Sequence, residues 1–198
     1  MDAKTKTKIA LITGGNRGIG RSIALSAARR GIHVILTYNS NVDQGNAVVD
    51  EINKLGGKAV ALHLDISKTN SFDGFTGQVS HVLKSEWDRN DFDYLVNNAG
   101  ISQRSLIKDT TEESFDELVN VNLKGVFFLT QKLIPLVIDG GQIINISSGL
   151  ARFAFPGVAV YGALKAALEV LTRYFAKEYA ERKKQNNCCG AQKPQSVP

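Results

Sequence analysis

Short runs of aliphatic and β-branched residues alternate along this chain with longer stretches whose apolar positions recur at helical spacing. The short runs, Ile9–Thr13, His33–Thr37, Ala59–Leu64, Tyr94–Asn97 and Gln142–Ile146, read as strands. The longer stretches predict helices at Ile19–Arg30, Asp43–Leu55, Phe72–Ser85, Glu112–Ile138 and Val158–Lys184. Strand and helix in regular alternation predict an α/β doubly wound fold, a parallel sheet covered by helices on both faces. Gly31, Gly56-Gly57 and Gly140-Gly141 fall where helices should stop, since glycine takes the left-handed cap at little cost. Pro135 lies late in the fifth helix and should bend or shorten it. The pattern contains no internal repeat and no linker, so one domain is expected over residues 1–180. From residue 181 neither periodicity continues, and residues 181–198 read as an irregular, loosely attached tail.

Composition narrows the class. At 198 residues the chain is long enough to enclose one hydrophobic core, and 43% apolar with 22% charged residues is ordinary for a globular domain. No window reaches the apolar length of a membrane span, and the lysine-rich start lacks the apolar stretch of a secretory signal. The only cysteines, Cys188 and Cys189, are adjacent and form no disulfide framework, which makes a reducing cytoplasm the expected location. The formal net charge of +5 comes from scattered lysines and arginines, so a nucleic-acid partner is not expected. His33, His63 and His81 lack metal-ligand spacing, and no metal site is expected.

The first strand ends in Thr13-Gly14-Gly15-Asn16-Arg17-Gly18-Ile19-Gly20. A glycine-rich turn between strand and helix lets backbone N–H groups approach a pyrophosphate, and the helix dipole favours the anion. The spacing is T-G-x-x-x-G-x-G rather than the commoner G-x-G-x-x-G. At the end of the second strand, Thr37-Tyr38-Asn39-Ser40 carries no carboxylate before Asp43. An acid there would hold the 2′-hydroxyl of NAD and repel a 2′-phosphate. Asn39 and Ser40 can instead donate hydrogen bonds to that phosphate, and Arg17 can reach it. NADP(H) is therefore expected over NAD(H).

These motifs, and those that follow them, resemble the short-chain dehydrogenase/reductase family. The resemblance places Asp65 and Ile66 against the adenine, and Asn98, Ala99 and Gly100 of Asn97-Asn98-Ala99-Gly100 beside the cofactor. It implies a catalytic Asn122 in Asn120-Val121-Asn122-Leu123-Lys124-Gly125, and a catalytic Ser148 at the end of the fifth strand. Tyr161-Gly162-Ala163-Leu164-Lys165 matches the family's Y-x-x-x-K. Residues four apart share a helix face, so Tyr161 and Lys165 point the same way. A tyrosine titrates ordinarily near ~10, and a neighbouring ammonium should favour its phenolate. By resemblance, Ser148 holds the substrate oxygen, Tyr161 exchanges its proton, Lys165 also holds the nicotinamide ribose, and Asn122 anchors a proton relay. Phe153, Phe155 and Pro156 lie where the family lines its substrate entrance.

The implied function is hydride transfer between NADP(H) and a carbonyl or secondary alcohol, on a sheet of order 3-2-1-4-5. The family pattern is legible from about residue 8 to residue 179, and its last strands are not. The rival expectation is a C-terminally truncated or altered member that at most binds dinucleotide or an intact subunit. Codons for Asn187–Ala191, read one base later, can yield a string like the family's sixth strand, which points to a frameshifted or misspliced end. A homodimer at most is expected, formed through the helices that carry Asn122 and Tyr161.

Overall fold

The computed structural model describes residues 7–180 and, for the backbone, 185–191. Its strands are β1 (Ile9–Ile12), β2 (His33–Tyr38), β3 (Ala59–His63), β4 (Phe92–Asn97), β5 (Val137–Ser148) and β6 (Gln185–Ala191). They form a six-stranded sheet of order β3-β2-β1-β4-β5-β6, and each neighbouring pair runs parallel. The helices are α1 (Gly18–Ala28), α2 (Val42–Lys54), α3 (Phe72–Trp87), α4 (Glu112–Val119), α5 (Gly125–Leu133) and α6 (Ala159–Glu178). The expected order 3-2-1-4-5 is present.

Two apolar layers hold the sheet. Ile9, Leu11, Ile35, Leu95 and Ile143 face α3, α5 and α6, where Phe72, Val79, Leu129, Leu168 and Phe175 meet them. Ala10, Ile12, Val34, Leu36 and Val96 face α1 and α2, against Ala24, Leu25, Val48 and Ile52. Side chains alternate faces along a strand, and here both faces are covered, which is why the strands read as apolar runs. At the sheet's amino edge Arg89 is buried (4% exposed) and bonds Asp93 Oδ2 at 2.8 Å, while Asp93 Oδ2 also accepts the Ile9 N–H at 2.8 Å.

The structure departs from the sequence reading in three places. The single helix expected at Glu112–Ile138 is two helices joined by a π-helical segment, Asn120–Lys124, and it ends at Leu133. Pro135 sits in a short 3₁₀ turn, Ile134–Leu136, and β5 already begins at Val137. Proline's missing N–H and its ring prevent the helix from continuing through it. Gly140-Gly141 does not cap a helix. Gly140 takes φ 79 inside β5, at a register irregularity where Phe92 pairs Val137 but Tyr94 pairs Gln142. Gly31 and Gly56 do take the left-handed conformation expected of them, at φ 74 and 80.

The third departure is β6. No strand was expected beyond residue 180, yet Gln185–Ala191 pairs with β5 along Gln142–Ser148. The carboxyl edge of β5, which would otherwise present unpaired N–H and C=O groups, is covered there. The rest of the expected tail, residues 181–184 and 192–198, lies outside the described residues.

Candidate active site

The glycine turn follows β1, and its shape is set by contacts that only glycine permits. Gly14 and Gly18 have φ 63 and 55. A Cβ on Gly20 would lie 2.2 Å from the Gly14 carbonyl oxygen, so α1 can start against the turn only without a side chain there. A Cβ on Gly18 would meet nothing within 4 Å, so the space before α1 is open. The first-turn N–H groups of a helix have no intrahelical acceptor, and Arg17, at the N-cap, supplies none from its side chain. Gly18, Ile19 and Gly20 are the first residues of α1, whose N–H groups no side-chain cap takes up, the kind of cradle that suits a pyrophosphate.

Other predicted cofactor residues brace this turn. The Gly14 N–H donates to Thr37 Oγ1 at 3.1 Å. Asn98 Nδ2 donates to the carbonyls of Thr13 (2.9 Å) and Gly14 (3.1 Å). Thr13 Oγ1 accepts the N–H groups of Asn98 (3.0 Å) and Ala99 (2.9 Å), which ties the loop after β4 to the turn after β1. Asn16 Nδ2 reaches Gln44 Oε1 of α2 at 3.1 Å. Arg17, Asn39 and Ser40 are exposed beside the turn and the end of β2. Asp65 Oδ1 accepts from the N–H and hydroxyl of Ser67 at 2.9 and 2.7 Å, shaping the loop that contains Ile66. Thr13 and Thr37 were read only as parts of motifs. Their bracing roles depend on strand pairing, and spacing along the chain carries no sign of it.

The four predicted catalytic residues converge beyond the carboxyl ends of β4 and β5. Ser148 closes β5 next to Tyr161, near the start of α6, and its Oγ accepts the Leu150 N–H at 3.2 Å. Lys165, one turn along and 4% exposed, donates from Nζ to the Ile146 carbonyl at 2.9 Å. Its Nζ lies 5.6 Å from the Tyr161 ring centroid. Asn122, fully buried in the π-helical segment, donates to the carbonyls of Ile101 and Leu118, both at 3.0 Å. Gly100 passes directly beneath. A Cβ there would meet Asn122 Oδ1 at 2.8 Å and Lys165 Nζ at 3.5 Å.

Burial pushes the Tyr161 hydroxyl above the ordinary tyrosine range, and the Ser148 hydrogen bond partly offsets it. The expected lowering by Lys165 is not what this chain shows. The Lys165 ammonium is directed at the Ile146 carbonyl, and it lies above the Tyr161 ring.

Two loops flank the crevice, joined where the Ser105 N–H donates to the Gly157 carbonyl at 2.9 Å. Phe153 and Phe155 stand on one, 59% and 61% exposed, and Leu106 and Ile107 stand on the other, 47% and 81% exposed. A groove of about 420 Å³, lined by Ile107, Thr110, Thr111, Glu112, Phe115 and Val160, adjoins Tyr161 through Val160. Among the described residues no group of three or more His, Cys, Asp or Glu side chains is placed to hold a metal. No helix among them is long and apolar enough to cross a membrane.

A parallel sheet with a glycine turn after β1 and a Ser-Tyr-Lys-Asn cluster beyond β4 and β5 defines the class as a doubly wound α/β fold. More narrowly, the chain belongs to the short chain dehydrogenase family, which matches residues 8–192. That match extends beyond residue 179, where the sequence reading had the family pattern stop, and takes in β6. The chain is 39% identical over 175 residues to the short-chain dehydrogenase/reductase FrzI of a Cladobotryum species, covering 88% of this chain and 66% of FrzI. It is 38% identical over 177 residues to the 3-oxoacyl-[acyl-carrier-protein] reductase FabG of Staphylococcus epidermidis, covering 88% of this chain and 70% of FabG. The chain thus spans about two thirds of the length of these relatives. The structure superposes on the landomycin C-6 ketoreductase LanV, solved with bound NADP and rabelomycin. The TM-score is 0.89 at 36% identity, covering 92% of this chain and 75% of LanV.

Proposed function

We propose that this chain is an NADP(H)-dependent oxidoreductase that interconverts a carbonyl and a secondary alcohol. The observation that carries the reading is that Asn122 and Lys165 meet beside Gly100 while Ser148 adjoins Tyr161 on the helix that carries Lys165, on the side of the sheet where the glycine turn leads into α1. When bound, NADP(H) supplies or accepts the hydride. Gly18, Ile19 and Gly20 would hold its pyrophosphate, and Lys165 its nicotinamide ribose. Asp65, Ile66, Ala99 and Gly100 would line its path. Arg17, Asn39 and Ser40 would hold its 2′-phosphate, a contact that the missing carboxylate before Asp43 supports.

The chain's own groups then move the proton. Ser148 hydrogen-bonds the substrate oxygen and holds it beside the Tyr161 hydroxyl. In reduction Tyr161 donates its proton to that oxygen, and a hydroxyl whose pKa is raised is fully protonated at neutral pH. In oxidation Tyr161 must first lose the proton, and Ser148 is the group that opposes the effect of burial there. Asn122 holds the loop at Ile101 against the π-helical segment and so keeps Gly100 against Lys165. Phe153, Phe155, Leu106 and Ile107 favour an apolar, aromatic ketone, and LanV is itself a ketoreductase, solved with bound rabelomycin. The reading extends to a homodimer at most, which the exposed Phe115, Phe128, Val170 and Tyr174 on α4, α5 and α6 support. Titration with NADPH and NADH, followed by NADPH consumption against aromatic and aliphatic ketones, tests the reading. Tighter NADPH binding and turnover of an aromatic ketone are expected; no binding of either cofactor would overturn it.

A further inference from the structure

Ser148 and Tyr161 come from two different elements, so something must fix β5 against α6. Ile143, Asn145 and Ser147 are buried positions in the second half of β5, and Asn145 and Ser147 bond to α6. Asn145 Nδ2 donates to Thr172 Oγ1 at 2.9 Å. Two residues further on, Ser147 Oγ donates to Glu169 Oε1 at 2.8 Å, with the Lys165 carbonyl more distant at 3.4 Å. Only the first of these Ser147 contacts is of full hydrogen-bond length, and a hydroxyl has one proton to give. Glu169 lies four residues beyond Lys165 and eight beyond Tyr161, on the same face of α6. Ser147 directly precedes Ser148.

We propose that Glu169 is a positioning residue: its carboxylate holds the Ser147 hydroxyl, and so sets the end of β5 at the register that brings Ser148 to Tyr161. The inference rests on the catalytic reading above. The Asn145–Thr172 bond is buried deeper in the same seam and fixes α6 nearer its carboxyl end. The Ser147–Glu169 bond is the last tie before the reacting groups. A charge-assisted hydrogen bond of this kind is about twice as strong as a neutral one.

The orienting role and a mere charge effect make opposite predictions. Removing a carboxylate near Tyr161 would, by charge alone, make the phenolate easier to form. Losing Ser148 from Tyr161 would make it harder, because that bond opposes the effect of burial. The experiment compares the full chain with Glu169→Ala, Glu169→Gln and Ser147→Ala. For each, the phenolate titration of Tyr161 is obtained by difference from the same chain carrying Tyr161→Phe. Glu169→Ala and Ser147→Ala should move the titration to higher pH, and Glu169→Gln, which keeps an acceptor, should restore it.

With a ketone and NADPH, the Ala variants should lose about tenfold in kcat with little change in KM for NADPH, and the Gln variant should recover most of it. A titration that moves down or stays in place in Glu169→Ala, or a Gln variant as impaired as the Ala variant, overturns the proposal. If Glu169→Ala does not fold, Ser147→Ala carries the same prediction from the other side of the bond. If the unaltered chain turns over no ketone, the catalytic reading fails, and the titration still decides whether Glu169 positions Ser148.

Discussion

Thr13 provides a direct measure of how the cofactor cradle is held together. Its side chain is fully buried, and Oγ1 accepts the N–H groups of Asn98 at 3.0 Å and Ala99 at 2.9 Å. A weaker contact at 3.4 Å goes to the Val96 carbonyl. Thr13→Val keeps the shape and removes the acceptor, so the Ala99 N–H loses its partner, while the Asn98 N–H keeps the Val96 carbonyl at 3.1 Å. An unpaired buried donor costs roughly 1–3 kcal/mol, and since Ala99 is only half-buried, the lower end applies to it. With the loss of the second Asn98 contact, the expected total is about 1–2 kcal/mol. With a urea slope of about 2 kcal/mol per molar, the unfolding midpoint should fall by about 0.5–1 M at unchanged slope. NADPH affinity should fall as well, because the same bonds align the loop of Ala99 and Gly100 with the glycine turn. A midpoint within about 0.2 M of the unaltered chain would refute the bracing argument.

Other outcomes follow from the same contacts. Ser148→Ala removes the one interaction that opposes burial at Tyr161, so the phenolate titration should rise further and the alkaline limb of alcohol oxidation should move up with it. A downward shift in spectrophotometric titration would contradict that sign. Arg17→Ala should reduce the preference for NADPH over NADH by about tenfold or more, read by fluorescence titration, as expected for a charge-assisted bond to phosphate. Arg89→Met leaves the buried Asp93 carboxylate without its cation, which should cost about 3–5 kcal/mol in urea unfolding while the NADPH affinity of the folded chain is unchanged.

The nearness of Ser148, Tyr161 and Lys165 was legible because Ser148 ends a strand, parallel strands bring their carboxyl ends to one edge, and Tyr161 and Lys165 lie one turn apart on the helix that follows. The π-helical segment was not, because Asn120–Lys124 continues an apolar helical pattern, and its Asn122 bonds the distant Ile101 carbonyl as well as the local Leu118 carbonyl. Gly140 has the composition of a helix stop and serves as a strand irregularity, a choice that depends on the partner strand β4. β6 has no apolar alternation to read in Gln185–Ala191, and its pairing follows from the backbone groups that β5 offers. The tyrosine's pKa was misjudged because sequence shows that Lys165 shares a face with Tyr161, but not that its ammonium is directed to the Ile146 carbonyl.

The central claim is that the Tyr161 hydroxyl moves the proton while the rest of the site merely holds the reactants. Tyr161→Phe removes that hydroxyl and little else, so cofactor affinity should survive while turnover does not. The measurement is steady-state NADPH consumption with a ketone that the unaltered chain reduces, alongside NADPH titration of both chains. The account predicts an NADPH dissociation constant within about threefold of the unaltered chain and a loss of kcat of at least about a thousandfold. A Phe variant that keeps most of the original rate would contradict it.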